Sequence, residues 1–199
     1  MTRGITPCRV ILTDDPLRAK MLVAHHLEYA SLVSELGDVL VYSGSYKDMP
    51  LAVASTGTGS SGVLAFLNEA SASGAGASEA VFIGSCVSTT SRYGVRSVIL
   101  AAGGSRKLLD RALAAAEQYD IKAASATVLQ PGGLLPEEGC IIEEVTGAFY
   151  ELARAGGADA LSILTVAENT RTDEKMEEHE VRSRFYAASR LAFEMLALR

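Results

Sequence analysis

The chain has 199 residues, a length that suits one domain spanning 1–199 with a substantial core. Its 48% hydrophobic and 21% charged residues are a globular balance, and a net charge of −6 argues against a nucleic-acid backbone as partner, since phosphate tracks need clustered Lys and Arg. No apolar run approaches the ~20 residues that span a bilayer, and Met1–Arg9 carries no apolar stretch of the secretory kind, so a cytoplasmic protein without a membrane partner is expected.

Along the chain, apolar runs of strand length alternate with segments of helical period, which predicts a wound α/β sheet. Arg9–Thr13 reads as a first buried strand. Asp14-Asp15-Pro16 then predicts a capped helix from about Leu17 to Leu36, because Asp accepts free N–H groups and Pro suits the first turn. Val39–Ser43 and Leu51–Ser55 read as paired strands around a turn at Ser45–Met49. Thr56–Gly62, rich in Gly and hydroxyls, opens a helix to about Ser73. Ala80–Gly84 and Arg96–Ala101 are β-rich, Lys107–Tyr119 helical, Ala123–Leu129 a strand and Pro131–Gly139 a loop. Glu144–Ala155 is helical, Ala160–Val166 a strand, and Asp173–Leu198 a long closing helix.

In open α/β sheets ligands bind beyond the carboxyl ends of strands. Five such ends are polar or glycine-rich here: Asp14–Arg18, Thr56–Gly62, Ser85–Thr90, Glu143-Glu144 and Ala167–Thr172. Each alone has an ordinary reading. Thr56–Gly62 can cradle an anion on its N–H groups, yet it lacks the P-loop lysine and the GxGxxG spacing, so taken alone it reads first as a plain tight turn. Glu143-Glu144 at a helix start is favourable by the helix dipole alone. Glu168 leaves a buried strand, a place for either a perturbed carboxylate or a plain loop residue. Arg171, Arg182 and Arg184 are near it in sequence. His25 and His26 read as ordinary helical residues, and Cys8, Cys86 and Cys140, widely spaced without CxxC, as reduced thiols rather than a metal site.

Taken together and in order, the five stretches resemble the purine nucleoside phosphorylase and uridine phosphorylase family in its hexameric bacterial form. Val10–Lys20 is similar to that family's first strand and Gly-Asp-Pro-x-Arg phosphate turn, Gly44–Lys47 with Leu51–Gly59 to its hairpin and Gly-x-Gly turn, and Ile83–Cys86 to its Val-Gly-Ser-Cys strand end. Glu144 and Gly147 match the Met-Glu-x-x-Gly helix, and Thr165–Thr172 the Thr-Val-Ser-Asp-x-x-x-Thr segment. The resemblance implies a single α/β domain with a central mixed, mostly parallel sheet flanked by helices. It implies cleavage of the glycosidic bond of a purine or pyrimidine nucleoside, with phosphate as co-substrate and neither metal nor other cofactor, in a homo-oligomer (dimer or hexamer). It assigns Glu168 as catalytic acid, Glu144, Glu143 and Thr58 to ribose, and Arg18, Ser85 and Gly59 to phosphate. The departures fall on the anion: Asp14 replaces a Gly, Phe82 an Arg, Cys8 a His, and a partner-supplied Arg falls near Gly37. Two alternatives therefore stand beside phosphorolysis: hydrolysis by water, and a degenerate homologue that binds a nucleoside without turning it over.

Overall fold

The computed structural model describes residues 8–57, 59–72, 77–132, 139–183 and 185–198. The elements follow in chain order as β1 (Arg9–Thr13), α1 (Pro16–His26), β2 (Glu28–Leu36), β3 (Val39–Tyr46), β4 (Met49–Ser55), α2 (Gly59–Ala72), β5 (Glu79–Ser88) and β6 (Val98–Ala101). Then come α3 (Arg106–Gln118), β7 (Ala123–Ala126), β8 (Val128–Leu129), β9 (Ile141–Ile142), α4 (Thr146–Ala155), β10 (Asp159–Asn169), β11 (Glu174–Lys175), α5 (Glu178–Ser183) and α6 (Tyr186–Ala197). One mixed sheet runs β2-β3-β4-β1-β5-β10-β6-β7. Its centre, β4-β1-β5-β10, is parallel, whereas β2 and β3, and β10 with β6, pair antiparallel. The expected mixed, mostly parallel sheet flanked by helices is therefore present.

Alternate residues of the central strands feed two cores, as the period of two requires. Ile11, Val53, Val81, Ile83, Leu161 and Ile163 face α1, α3 and α6. Val10, Leu12, Ala54, Phe82, Leu164 and Val166 face α4 and, through Val63, α2. At the amino end of this sheet the buried Glu79 accepts from Arg9 Nε at 2.9 Å, Lys107 Nζ at 2.9 Å and Arg111 Nη1 at 2.7 Å. Burial alone pushes its carboxyl up, but the three cations hold it below the ordinary range. Arg111 also donates to the Met195 and Leu196 carbonyls, tying the end of α6 to the same point.

Three expectations are corrected. The first helix stops at His26 rather than Leu36, and Glu28–Leu36 is an edge strand. Local helix propensity yields there to hairpin pairing with β3, closed by a turn in which Gly37 takes φ +58°. The closing helix is broken as well: Lys175 pairs back on Glu168 as β11 before α5 and α6 begin. The strand expected over Ala123–Leu129 divides into β7, on β6, and β8, on β9. The cap was read correctly, for Asp15 accepts from Leu17 N–H at 2.7 Å and Arg18 N–H at 3.3 Å. Residues 133–138 of the expected loop lie outside the described residues.

His26, at the end of α1, stacks on Phe193 with centroids 4.3 Å apart and meets Ser189 Oγ through Nε2 at 3.1 Å. Burial, aided by neighbouring His25 and opposed by Glu194, lowers its pKa from 6.5 to about 4. The unfolded chain therefore binds a proton that the folded chain refuses. This contribution to stability is complete above pH 6.5 and is lost as pH falls from 6.5 towards 4. Thermal unfolding followed from pH 7.5 to 4.5 should show a shallower loss of Tm in His26→Phe than in the wild type. Parallel slopes would remove His26 as the source.

Candidate active site

The carboxyl ends of β1, β4, β5 and β10 converge, and the start of α4 joins them through β9, which pairs with the end of β5. The first turn holds Asp14 and Arg18. Arg18 is buried, and its guanidinium is largely committed: Nη1 donates to Thr13 Oγ1 at 3.0 Å and Asp14 Oδ1 at 2.5 Å, and Nη2 to the Val181 carbonyl at 3.1 Å. The guanidinium also lies 4.3 Å from the centroid of the Phe185 ring. A buried arginine without such partners would be unfavourable. Asp14 thus neutralises Arg18, and Val181 and Phe185 link it to the α5–α6 region.

The two adjacent glutamates at α4 part company. Glu143 is buried and accepts from Val145 N–H at 2.8 Å and Thr146 N–H at 2.7 Å, satisfying the open end of the helix. Burial raises its carboxyl above the ordinary range; hydrogen bonds from residue 146 and Val145 pull the other way, and the Asp14 carboxylate adds to the rise. Burial likewise pushes the Cys86 thiol up, with the Glu143 charge contributing. Glu144 is exposed instead, and its Oε1 would lie 3.0 Å from a Cβ built on Gly59. Gly59 also has φ +73°, a backbone conformation that favours glycine, and a side chain there would push against the Glu144 carboxylate. The Gly-rich turn and the Glu144 carboxylate therefore face each other. Thr58 lies outside the described residues.

Ser85 sits inside β5 rather than at its end, because the strand continues to Ser88. It is in register with Thr165 of β10. The same ladder places Glu168 beside Val87 after a bulge at Ala167. Glu168 is partly exposed and its Oε2 meets Lys175 Nζ at 3.1 Å. Arg184 and the side chain of Arg182 lie outside the described residues. Phe82 is fully buried, its ring centroid 6.0 Å from that of Phe149, so this position offers the site no polar group. Among the described residues no group of three or more His, Cys, Asp or Glu is arranged to hold a metal, and no helix is long and apolar enough to cross a membrane.

Sequence reasoning missed Asn169. Its fully buried amide donates to the Thr90 and Tyr93 carbonyls at 3.0 and 2.7 Å, while Oδ1 accepts from Arg171 N–H at 2.9 Å and Thr172 N–H at 3.1 Å. It fixes the turn after Glu168 to the loop after β5. The local half was legible as an Asx-turn pattern, Asn followed by Thr-Arg-Thr.

No family model matches the chain. It is 27% identical to a purine nucleoside phosphorylase of the DeoD type from Alkaliphilus metalliredigens, over 94% of this chain and 93% of that one. A protein of the same description from Bacillus subtilis is also 27% identical, over 89% and 88%. The fold matches a purine nucleoside phosphorylase from Toxoplasma gondii, solved in complex with immucillin-H, with TM-score 0.83 and 18% identity over 97% of this chain and 91% of that one. In sequence this chain is similar to purine nucleoside phosphorylases over nearly its whole length, and its fold is that of the matched structure.

Proposed function

We propose that this protein cleaves the N-glycosidic bond of a purine nucleoside with phosphate, releasing the free base and a pentose 1-phosphate. The observation that carries the reading is the exposed Glu144 carboxylate held against the Gly59 turn. A carboxylate accepts from two vicinal hydroxyls at once, and charge-assisted bonds of this kind are strong. Glu144 then binds the ribose 2′- and 3′-hydroxyls, with the backbone at Thr58 and Gly59 facing sugar and nucleophile. Glu143, spent on the helix start, acts on ribose through the position it gives α4. Arg18 and Ser85 serve the phosphate.

As a phosphate oxygen bonds to C1′, the C1′–N bond breaks with its electron pair passing to the base. Glu168 supplies the proton that makes the base a neutral leaving group, and the proton carried by hydrogen phosphate restores it. To act so, Glu168 must part from Lys175, which holds it in the free protein. Phosphate is the co-substrate and no other cofactor takes part. The chain works in the cytoplasm as a single domain in a homo-oligomer. The last point is supported by β2, an edge strand whose Tyr29, Leu32, Val33 and Leu36 are exposed in one copy.

One observation favours water over phosphate: Arg18 Nη1 is already held by Asp14. Base release from a panel of purine and pyrimidine nucleosides, with and without phosphate, separates the readings. Release that requires phosphate is expected, phosphate-independent release would select hydrolysis, and no release from any nucleoside would leave a binding protein.

Two variants test the assigned roles. Glu144→Gln exchanges a charged acceptor for a neutral one at a cost of ~1.5–3 kcal/mol, so kcat/KM for nucleoside should fall by about 10- to 100-fold with the far-ultraviolet circular dichroism unchanged. Wild-type kcat/KM in that variant would take Glu144 out of the site. Glu168→Ala should slow purine nucleosides by ~100- to 10,000-fold. It should slow 4-nitrophenyl riboside far less, because that leaving group needs no proton. Equal losses on both substrates would make Glu168 structural.

A further inference from the structure

Glu168 does not stand where an unbroken ladder would put it. β10 keeps step with β5 as far as Val166 beside Cys86, and a bulge at Ala167 then leaves Glu168 beside Val87 and Asn169 beside Ser88. Without the bulge Glu168 would pair with Ser88 and share the face of Val166 and Cys86, which belong to the core under α4. Successive strand residues point to opposite faces, so the extra residue turns the Glu168 side chain to the other face. Ala167 itself packs against the core on that other face. Sliding the bulge by one position along β10 would undo this, so an acid aimed in this way needs a lock on the register directly behind it.

Asn169 is that next residue, and it is fully buried. Its amide donates to the Thr90 and Tyr93 carbonyls at 3.0 and 2.7 Å, and Oδ1 accepts from the Arg171 and Thr172 N–H groups at 2.9 and 3.1 Å. The two halves of the side chain differ in reach. The Oδ1 half closes a local turn, as asparagine does in many loops. The amide half is a clamp on a segment 79 and 76 positions away in sequence. Ser88, beside Asn169 in the ladder, strengthens it: its carbonyl accepts from Thr170 N–H at 2.9 Å and its hydroxyl donates to the Thr90 carbonyl at 3.0 Å. Only a carboxamide supplies two donors and an acceptor for two more bonds at this length, since aspartate has no donor and an apolar side chain has neither.

We propose that Asn169 is the positioning residue of the catalytic acid: by pinning β10 immediately behind the bulge, it keeps Glu168 on the face and in the row where it meets the base. The role rests on the reading of Glu168 as the acid. It belongs to the clamp half, because a turn alone orders residues 170–172 and leaves the register before them free. Asn169 touches neither substrate nor reacting atoms. A displacement of ~1 Å at a reacting group can cost ~100-fold in rate, so a loosened clamp shows in proton transfer before it shows in binding.

The test compares Asn169→Asp, Asn169→Ala, Glu168→Ala and the double variant Asn169→Ala/Glu168→Ala. Asn169→Asp has the same shape, keeps the acceptor for the turn and sets a carboxylate against two carbonyls, so it removes the clamp alone. For each, kcat and KM are measured on a purine nucleoside (inosine) and on 4-nitrophenyl riboside, with circular dichroism to confirm folding. On inosine, kcat should fall by ~10- to 100-fold in both single Asn169 variants, while the nitrophenyl substrate and both KM values stay within about twofold of the wild type. Adding Asn169→Ala to Glu168→Ala should cause no further loss, since nothing is left to position. Equal losses on the two substrates, or a full further loss in the double variant, would make Asn169 structural and overturn the proposal. Unchanged inosine turnover in a folded Asn169→Asp, with Glu168→Ala selectively slow, would overturn the positioning role and leave the acid in place. A Glu168→Ala variant that is not selectively slow, or a wild type that releases no base, would sink the acid reading and this role with it. Should Asn169→Ala fail to fold, Asn169→Asp, alone and combined with Glu168→Ala, decides.

Discussion

The parallel pairing of β5 with β10 is the constraint on which the rest of the molecule depends. It runs from Glu79 beside Asp159 to Ser88 beside Asn169, with one interruption at Ala167. Because each strand points alternate residues to opposite faces, this single register decides which side chains reach which core. It also carries both cores without a break, so that Ile83 and Ile163 serve one face while Phe82 and Leu164 serve the other. Beyond the apolar stretch the same register sets Ser85 next to Thr165 and Val87 next to Glu168. On the far side of β5, β9 pairs Ile142 with Val87 and thereby delivers Glu143 and Glu144 to the same edge. A slip of one residue would turn every one of these groups to the wrong face.

At that edge the electrostatic problem is an excess of carboxylates. Asp14 is close enough to Glu143 to raise its pKa, and Glu144 and Glu168 stand on neighbouring elements. Each is handled differently. Glu143 accepts from backbone N–H groups, Asp14 pairs with Arg18 and Glu168 with Lys175, whereas Glu144 stays exposed. Pairing Asp14 with a buried arginine couples the first turn to the α5–α6 region, since the same guanidinium reaches the Val181 carbonyl and the Phe185 ring. In a site where the first turn lacked that carboxylate, Nη1 would be open to a ligand. Here the arginine is an anchor first.

What was legible in the sequence was local or periodic. The cap at Asp15, the central strands, α3 and the glycine turn before α2 all follow from caps and periods. What was not legible depends on distant partners. Glu28–Leu36 has a composition that suits a helix, and only β3 makes it a strand. Lys175 ends the expected closing helix because Glu168 and Asn169 lie across from β11, a pairing no window along the chain contains. At the site, sequence placed Glu143 and Glu144 together and could not say which would cap α4. Thr165 fell within the strand expected over Ala160–Val166 and the segment resembling the family's motif. Its orphaned hydroxyl becomes visible only when α1 and α6 close over it.

The two halves of the edge are consequently built on different principles. The Glu144 half relies on backbone: a left-handed Gly59, whose missing Cβ leaves room for the Glu144 carboxylate, and a helix start held by its own Glu143. Such a half tolerates change elsewhere, because its geometry comes from φ angles and N–H directions rather than from side chains of other elements. The Arg18 half relies on one arginine side chain shared among Thr13 of β1, Asp14, the Val181 carbonyl of α5 and the Phe185 ring just before α6, and a change in one of them reassigns the others. Under the proposed chemistry, recognition of the sugar and choice of nucleophile are therefore separable in this protein, the first set by backbone and the second by an ion pair.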